Sequence, residues 1–214
     1  MYSAVVFDFD YTLGDSTNGI VLSINYALSK LGYGERETEA IRKTVGLSLK
    51  DTFTVLTGKE DENEAQAFSK YFKEKADMVM VDNTRIYPGI LESLQSLKAR
   101  GYKTGIVTTK YHYRIEQILE KYGAAKLIDL IVGAEDVRIE KPNPEGLLWA
   151  VDKLGLDKKQ VLYVGDSIVD AKTARNAVVD FAGVLTGTTK KDDFLEYNNI
   201  LIGKDVNDVC RSML

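Results

Sequence analysis

Cysteine, histidine and proline are scarce in this chain of 214 residues. The single cysteine, Cys210, excludes a disulfide within the chain, and we therefore expect a protein of the reducing cytoplasm. The only histidine, His112, falls at the start of a predicted helix, where we expect neither metal ligation nor base catalysis. The three prolines matter for their positions, because two of them follow Lys141 closely.

An excess of positive charge and long apolar runs are also missing. The chain has 28 basic and 32 acidic residues and a net charge of −4, which argues against a nucleic-acid partner bound through bulk electrostatics. The apolar run before Asp8 is too short to cross a membrane, so we expect no membrane partner. No heptad pattern is present, and the sequence leaves monomer and homodimer open.

The first predicted strand, residues 4–7, ends at two carboxylates, Asp8 and Asp10. Successive side chains of a strand point to opposite faces, so these two carboxylates project to the same side. Ligands of open α/β sheets bind at such carboxyl ends. Two like charges this close need neutralisation, and Mg²⁺ is a hard cation that prefers oxygen ligands. The alternative is an acidic turn with no further role.

The order of predicted helices and strands favours an α/β fold with a helical insert. After the first strand, a block of about 65 residues has helical spacing throughout. Strands then alternate with helices, which is typical of a doubly wound parallel sheet with right-handed crossovers. We predict a catalytic core from residues 1–15 and 82–214 and a helical domain from residues 16–81.

Two later segments carry polar side chains at the ends of predicted strands or just before helices. Thr108 closes a strand, where its hydroxyl and the following backbone N–H groups can donate to a phosphoryl oxygen. Lys141 precedes Pro142 and Pro144, which stiffen the backbone and help to aim its ammonium. The structural alternatives are a helix cap and a solvated lysine.

A further segment supplies two more acids. Asp166 ends another predicted strand, and Asp170 lies one helical turn later. Together with Asp8 and Asp10 they would complete the acidic groups that a Mg²⁺ site needs. The structural alternative is a helix N-cap at Asp166.

In chain order, these four segments resemble the motifs of the haloacid dehalogenase (HAD) superfamily of phosphohydrolases. The first motif, DxDx[TV]Lx[DE], is matched by Asp8, Asp10, Thr12, Leu13 and Asp15. The resemblance spans the whole chain and implies a Rossmann-like core. The helical block resembles the small C1-type cap of phosphoglycolate-phosphatase-like members.

The resemblance implies a Mg²⁺-dependent phosphatase that forms an aspartyl phosphate. Asp8 would be the nucleophile, and Asp10 would act as acid and then as base. Thr108 and Lys141 would hold the phosphoryl oxygens. The implied metal ligands are Asp8, Asp10 through its backbone carbonyl, Asp166, and Asp170 in a supporting position. The implied substrate-binding residues are Thr12, Thr109 and Lys110.

Departures from the superfamily pattern narrow the substrate class. Asp10 argues against a dehalogenase, which lacks this second carboxylate. Gly165 and the absence of arginine in residues 46–49 disfavour a phosphomutase. Tyr11 stands where the superfamily often has glycine, and we expect its ring near the pocket entrance. Phosphoglycolate is the leading substrate, with pyrophosphate or a sugar phosphate as alternatives.

Two interpretations without turnover are also open. One is a phosphoacceptor signalling domain, which the helical insert after the first strand opposes. The other is a catalytically silent regulatory module on a HAD scaffold. Mg²⁺-dependent turnover of a generic aryl phosphate would exclude both.

Overall fold

The structure is a computed structural model that describes residues 2–197 and 199–213. The chain divides into two compact units, with boundaries after Asp15 and after Arg85. The first unit, called the core unit here, is built from both ends of the chain. The second, called the helical unit, is the segment between the two boundaries.

Eight strands are present in the described residues. They are β1 (Ala4–Phe7), β2 (Gly14–Asp15), β3 (Arg85–Ile86), β4 (Lys103–Val107), β5 (Leu130–Val132), β6 (Val161–Gly165), β7 (Asp180–Val184) and β8 (Asn199–Gly203). Six of them form one parallel sheet in the order β5-β4-β1-β6-β7-β8, and β2 and β3 form a separate two-stranded sheet. Helices connect the parallel strands, so the predicted doubly wound α/β fold is confirmed.

Ten α-helices are present in the same residues. Four belong to the helical unit: α1 (Thr17–Lys30), α2 (Thr38–Arg42), α3 (Leu49–Thr57) and α4 (Glu62–Val79). Six belong to the core unit: α5 (Ile90–Ala99), α6 (His112–Lys121), α7 (Glu145–Lys153), α8 (Ile168–Ala177), α9 (Lys191–Phe194) and α10 (Val206–Met213). No helix in these residues has the length and apolar character that a membrane span requires.

The centre of the large sheet aligns the ends of three strands. Phe7 of β1 lies level with Ile106 of β4 and Val164 of β6. The apolar residues of these strands are buried, as expected where helices cover both faces of a parallel sheet. The residues that follow the three strands therefore meet at one edge, the carboxyl edge of the sheet.

The boundary between the units differs from the predicted one. Residues 82–85 were expected in the core domain but belong to the helical unit. Their side chains bond back to the end of α4: the Asn83 amide donates to the Val79 carbonyl at 2.8 Å, and the Thr84 hydroxyl lies 2.8 Å from the Met80 carbonyl. These bonds extend the helical unit to Arg85, so the predicted boundary lies four residues too early.

An aromatic interior holds the helical unit together. Phe53 of α3 meets Tyr33 edge to face, with ring centroids 5.9 Å apart, and lies 5.6 Å from Phe68 of α4. Helices α1 and α4 pack along each other. Gly19 permits this approach, because a Cβ there would lie 2.9 Å from the Met80 sulfur. The interior of this unit is thus mainly aromatic and aliphatic.

Candidate active site

Three of the predicted site residues meet at the carboxyl edge of the sheet. Asp8 follows β1, Thr108 follows β4 and Asp166 follows β6, and all three are buried. The Asp8 backbone N–H donates to the Val164 carbonyl at 2.8 Å, which continues the ladder one residue past the strand. The sheet register therefore fixes the relative positions of these side chains.

Lys141 links Asp8 to Asp170 and Tyr163. Its ammonium donates to Asp8 Oδ1 at 2.7 Å, to Asp170 Oδ1 at 2.6 Å and to the Tyr163 hydroxyl at 3.2 Å. These contacts use all three N–H bonds of the ammonium. The two acids hold the pKa of Lys141 well above its usual value in spite of burial, which by itself lowers it. These contacts keep Lys141 charged and fixed in direction.

Asp170 supports Lys141 from the first turn of α8. Its Oδ1 accepts from Lys141 and from the Tyr163 hydroxyl at 2.9 Å. Its Oδ2 accepts from the Ser167 hydroxyl at 2.5 Å and the Ser167 backbone N–H at 3.1 Å. Gly165 makes room for it, since a Cβ there would lie 2.5 Å from the Asp170 Cβ and Cγ. With donors on both oxygens, Asp170 is positioned to hold Lys141.

The carboxylates of Asp8, Asp166 and Asp170 form an acidic cluster, in which one oxygen from each residue lies within 4.8 Å of the other two. Burial, opposed by Lys141, raises the pKa of Asp8 to about 7. Burial and the two neighbouring carboxylates raise the pKa of Asp166 well above its usual value. Three carboxylates face one ammonium, so negative charge is in excess. This donor set fits a hard divalent cation such as Mg²⁺.

The Asp10 side chain lies apart from this cluster. Its Oδ2 pairs with the buried ammonium of Lys110 at 3.0 Å. Its Oδ1 is buried and has no hydrogen-bond partner in the described part of the chain. Asp10 was predicted to bind metal through its backbone carbonyl, and that role stays a prediction. Its carboxylate is paired with a buried cation and is not one of the three that form the acidic cluster.

The predicted substrate-binding residues occupy the same edge of the sheet. The Thr12 hydroxyl donates to Asp166 Oδ1 at 3.2 Å, which orients that carboxylate. The Lys110 backbone N–H donates to the Thr108 hydroxyl oxygen at 3.2 Å, which tightens the loop after β4. Thr109 lies between them on this loop and is half-buried. Thr12 thus bonds to a carboxylate of the acidic cluster.

The sequence profile described as haloacid dehalogenase-like hydrolase matches residues 5–184. The chain belongs to the haloacid dehalogenase-like hydrolase family. A crystal structure of a haloacid dehalogenase-like hydrolase from Bacteroides fragilis shares 39% identity, with a TM-score of 0.95 over 98% of this chain and 100% of that one. The predicted family and enzyme class, a HAD phosphatase, are confirmed.

Two curated relatives of this HAD phosphatase differ in the substrate that their names give. Pyrophosphatase PpaX from Bacillus pumilus is 29% identical over 207 residues, covering 97% of this chain and 94% of that protein. Phosphoglycolate phosphatase from Aquifex aeolicus is 30% identical over 187 residues, covering 87% and 86%. Because the two relatives are about equally similar to this HAD phosphatase, the comparison does not decide between their substrates.

The turn after β1 explains the glycine that HAD members often carry after the second aspartate. Tyr11 has a φ of 61°, a left-handed conformation that glycine adopts without strain. Its carbonyl accepts a hydrogen bond from the Thr186 hydroxyl. The Tyr11 side chain is only 3% exposed, so its ring is buried, and its expected place near a pocket entrance stays a prediction. Tyr11 therefore adopts a backbone conformation that suits glycine better.

Two residues in the loop after β7 contact the site and were not predicted from the sequence. Thr186 holds the Tyr11 carbonyl, as described above. Gly187 approaches Asp166 so closely that a Cβ would lie 1.8 Å from Asp166 Oδ2. A glycine after a strand was the only signal for this contact, and such glycines are common in turns.

Two polar groups around Asp170 were also missed. Ser167 follows Asp166 directly and reads as an ordinary helix cap. Tyr163 carried a clearer signal, because it is the only side chain with a hydroxyl in the strand Val161–Gly165. A buried tyrosine hydroxyl needs a partner, which here belongs to the site.

Proposed function

We propose that this protein is a Mg²⁺-dependent phosphatase that hydrolyses a small-molecule phosphate monoester through an aspartyl phosphate on Asp8, with phosphoglycolate as the leading substrate. The observation that carries the proposal is the arrangement at Asp8. Its carboxylate is buried and held by Lys141 at 2.7 Å, and it lies in an acidic cluster with excess negative charge.

In the first step, an Asp8 carboxylate oxygen attacks the phosphorus atom. The bond between phosphorus and the leaving oxygen breaks, and its electron pair stays on that oxygen. Lys141 fixes the rotation of the carboxylate through Oδ1 and places positive charge beside the incoming phosphoryl group. The Thr108 hydroxyl follows the adjacent strand and would donate to a phosphoryl oxygen.

Asp10 handles the protons of both steps. As a carboxylic acid it gives a proton to the leaving oxygen, and as a carboxylate it then takes one from the hydrolytic water. That water attacks the phosphorus, and the Asp8 carboxylate leaves, which restores the starting state. The unpartnered Asp10 Oδ1 supplies an acceptor for this transfer.

The acidic cluster would hold Mg²⁺ through Asp8 and Asp166, while Asp170 holds Lys141. When bound, Mg²⁺ reduces the repulsion between the carboxylate and the phosphate dianion. Thr12 keeps Asp166 oriented for this ligand role. The raised pKa values of Asp8 and Asp166 show the cost of keeping both ionised without added positive charge.

Lys110 favours a leaving group that carries its own negative charge. Its side chain is 4% exposed, and its ammonium lies 3.0 Å from Oδ2 of Asp10, the proposed proton donor to the leaving oxygen. A carboxylate next to that oxygen, as in phosphoglycolate, would be attracted by this cation. A phosphate leaving group, as in pyrophosphate, would be attracted equally, and the relative named pyrophosphatase makes this the second candidate.

Phosphate release from a panel of small phosphates tests the proposal. The panel contains phosphoglycolate, pyrophosphate, sugar phosphates and nucleoside monophosphates, each assayed with and without Mg²⁺. We expect phosphoglycolate to be hydrolysed most efficiently, only with Mg²⁺, and not by Asp8→Asn. Equal release by wild type and Asp8→Asn would overturn Asp8 as the nucleophile, and a different dominant substrate would replace phosphoglycolate.

We further propose a cytoplasmic location and a small-molecule phosphate as the only partner besides the metal. The single, buried Cys210 and the acidic net charge support this proposal. Size measurement in solution distinguishes monomer from homodimer.

A further inference from the structure

We propose that Tyr163 is a positioning residue, whose hydroxyl holds the Lys141–Asp170 pair in the arrangement that directs Lys141 to Asp8. The inference rests on the proposed function, because it concerns the same reaction. It assigns a role to a residue that lies inside a strand and outside the four motifs.

The surroundings of Tyr163 support a fixed orientation. The side chain is fully buried, and its ring packs near Phe181, with ring centroids 6.3 Å apart. A tyrosine side chain has two main torsions, and packing on β6 leaves little freedom in either. The hydroxyl therefore has a more restricted position than a polar group on a long flexible side chain.

The hydroxyl has three polar neighbours. It lies 2.9 Å from Asp170 Oδ1, 3.1 Å from the Val107 carbonyl and 3.2 Å from Lys141 Nζ. It accepts from the ammonium and gives its one proton to one of the two oxygens. Burial holds the pKa of Tyr163 well above its usual value, so the proton is present at neutral pH.

The chemistry of Lys141 depends on this neighbour. With Tyr163, each of the three N–H bonds has an acceptor, which fixes the rotation of the ammonium about its last bond. Without the hydroxyl, one N–H bond of Lys141 and one of the two oxygens near the hydroxyl, Asp170 Oδ1 or the Val107 carbonyl, lose a partner in a buried site. The ammonium can then shift toward another acceptor. Displacement of a catalytic group by about 1 Å can cost a factor of up to about 100 in rate.

A merely structural role makes a different prediction. If the hydroxyl only satisfied the Val107 carbonyl, its removal would lower the stability of the fold and leave the kinetics of the folded enzyme unchanged. Tyr163→Phe separates the two roles, because it keeps the ring and its packing and removes only the oxygen. Tyr2→Phe is the matched control, since the Tyr2 hydroxyl donates to Asp180 at 2.7 Å, away from the acidic cluster.

The first test is steady-state kinetics of the Mg²⁺-loaded full chain with p-nitrophenyl phosphate. We expect Tyr163→Phe to lower kcat about tenfold, in the range seen when groups that orient a site are removed, with KM and the Mg²⁺ requirement changed less than twofold. Tyr2→Phe should match wild type. A kcat of Tyr163→Phe equal to that of wild type overturns the proposal.

The second test asks whether Tyr163 acts through Asp170. If it does, Tyr163→Phe should have little further effect on kcat in an Asp170→Asn background, because the arrangement that it supports is already lost. Independent, multiplicative effects of the two substitutions would overturn the proposal.

Binding of orthovanadate separates failure of this inference from failure of the proposed function. We expect Tyr163→Phe to weaken vanadate binding about tenfold by calorimetry, since a transition-state mimic reports the same placement of Lys141. Equal vanadate affinity of wild type and Tyr163→Phe would overturn the role of Tyr163 and leave the proposed function intact. Wild type without Mg²⁺-dependent turnover overturns the proposed function, and the vanadate comparison then decides the role of Tyr163.

Discussion

The two units of this chain bury different kinds of side chain. Among the described residues, the buried charged side chains all lie in the core unit: Asp8, Lys110, Arg114, Lys141, Asp166 and Asp170. The buried polar side chains of the helical unit are uncharged: Ser16, Ser23, Thr44, Thr52 and Thr84. Both units have extensive apolar interiors, so burial of charge is what separates them.

Under the proposed function, this difference distinguishes residues that take part in the reaction from residues that pack the interior. A buried charge costs several kcal/mol unless it is paired, and excess like charge raises that cost. In the core unit, five of these six charged side chains (Asp8, Lys110, Lys141, Asp166 and Asp170) lie around the carboxyl edge of the sheet, where we propose the reaction takes place. The described residues of the helical unit include no buried charge, and its interior is mainly apolar. Removal of a buried charge in the core unit should therefore lower activity and raise stability, whereas removal of a buried aromatic ring in the helical unit should lower stability.

The largest effect is expected for Asp8→Asn. We expect activity to fall at least about 1,000-fold, because the amide is a poor nucleophile. At pH 8 and without metal, the free energy of unfolding of Asp8→Asn should exceed that of wild type by about 1–3 kcal/mol, because the substitution removes a buried charge. Phosphate release and thermal unfolding in EDTA measure the two effects. Lower stability of Asp8→Asn would contradict the assignment of Asp8 as a strained carboxylate.

The pH dependence of this stability difference has a definite sign. The Asp8 pKa of about 7 lies above the unfolded value of 3.8, so the folded state binds more protons between these pH values. Without metal, the contribution of Asp8 to stability is present below about pH 4 and is lost as the pH rises through 7. The advantage of Asp8→Asn should therefore grow from pH 4 to pH 7. A flat difference over this range would contradict the raised pKa.

The matching substitution in the helical unit is Phe53→Ala. Phe53 is fully buried between Tyr33 and Phe68, and its loss leaves a cavity. We expect a loss of about 3–5 kcal/mol in the free energy of unfolding, measured by urea denaturation. Val55→Ala is the control on the same helix: Val55 is 62% exposed, and its change should stay within about 0.5 kcal/mol. Equal losses of unfolding free energy in Phe53→Ala and Val55→Ala would contradict the role of Phe53 as a core residue.

A smaller effect, on selectivity alone, is expected for Lys110→Met. Phosphoglycolate and its neutral amide differ in the charge of the leaving group, so the ratio of their kcat/KM values reports recognition of that charge. We expect this ratio to fall about tenfold in Lys110→Met, equivalent to about 1.4 kcal/mol. Loss of the contact between Lys110 and Asp10 could lower kcat/KM for both substrates, and such a common effect cancels in the ratio.

The control for this selectivity experiment is Lys126→Met, which changes an exposed lysine of the core unit and should leave the ratio unchanged. A ratio that is unchanged in Lys110→Met would show that Lys110 neutralises Asp10 and does not recognise substrate.

The sequence was sufficient where local periodicity and sheet register determine position. Asp8, Thr108 and Asp166 each follow an apolar run, and parallel strands in one sheet bring their carboxyl ends together. The helical insert was equally visible, because its apolar residues repeat with helical spacing. Motif order added Lys141, whose prolines mark a stiff segment.

Contacts between distant segments could not be predicted in this way. Thr12 donates to Asp166 across 154 positions, and Gly187 approaches the same carboxylate from a loop with no distinctive pattern. The pairing of Lys110 with Asp10 and the hydroxyl contacts of Tyr163 also depend on side-chain direction after folding. None of these contacts leaves a periodic signal, since each depends on the tertiary structure.

The ends of two helices offer the finest comparison between the units. In the helical unit, α3 ends at Gly58 with a φ of 72°, and in the core unit α8 ends at Val178 with a φ of 58°. This left-handed conformation suits glycine and costs other residues about 1–2 kcal/mol, the more so when they are β-branched. Val178 is 75% exposed, so little packing is lost when its side chain is removed.

We therefore expect Val178→Gly to raise the free energy of unfolding by about 1 kcal/mol, measured by urea denaturation. The reciprocal change, Gly58→Val, should lower it by a similar amount, because a Cβ at Gly58 meets open space and only the backbone resists it. Val178→Ala keeps a Cβ and should recover only part of the gain. If Val178→Gly destabilised the protein, the exposed side chain would have to make contacts that outweigh its strained backbone.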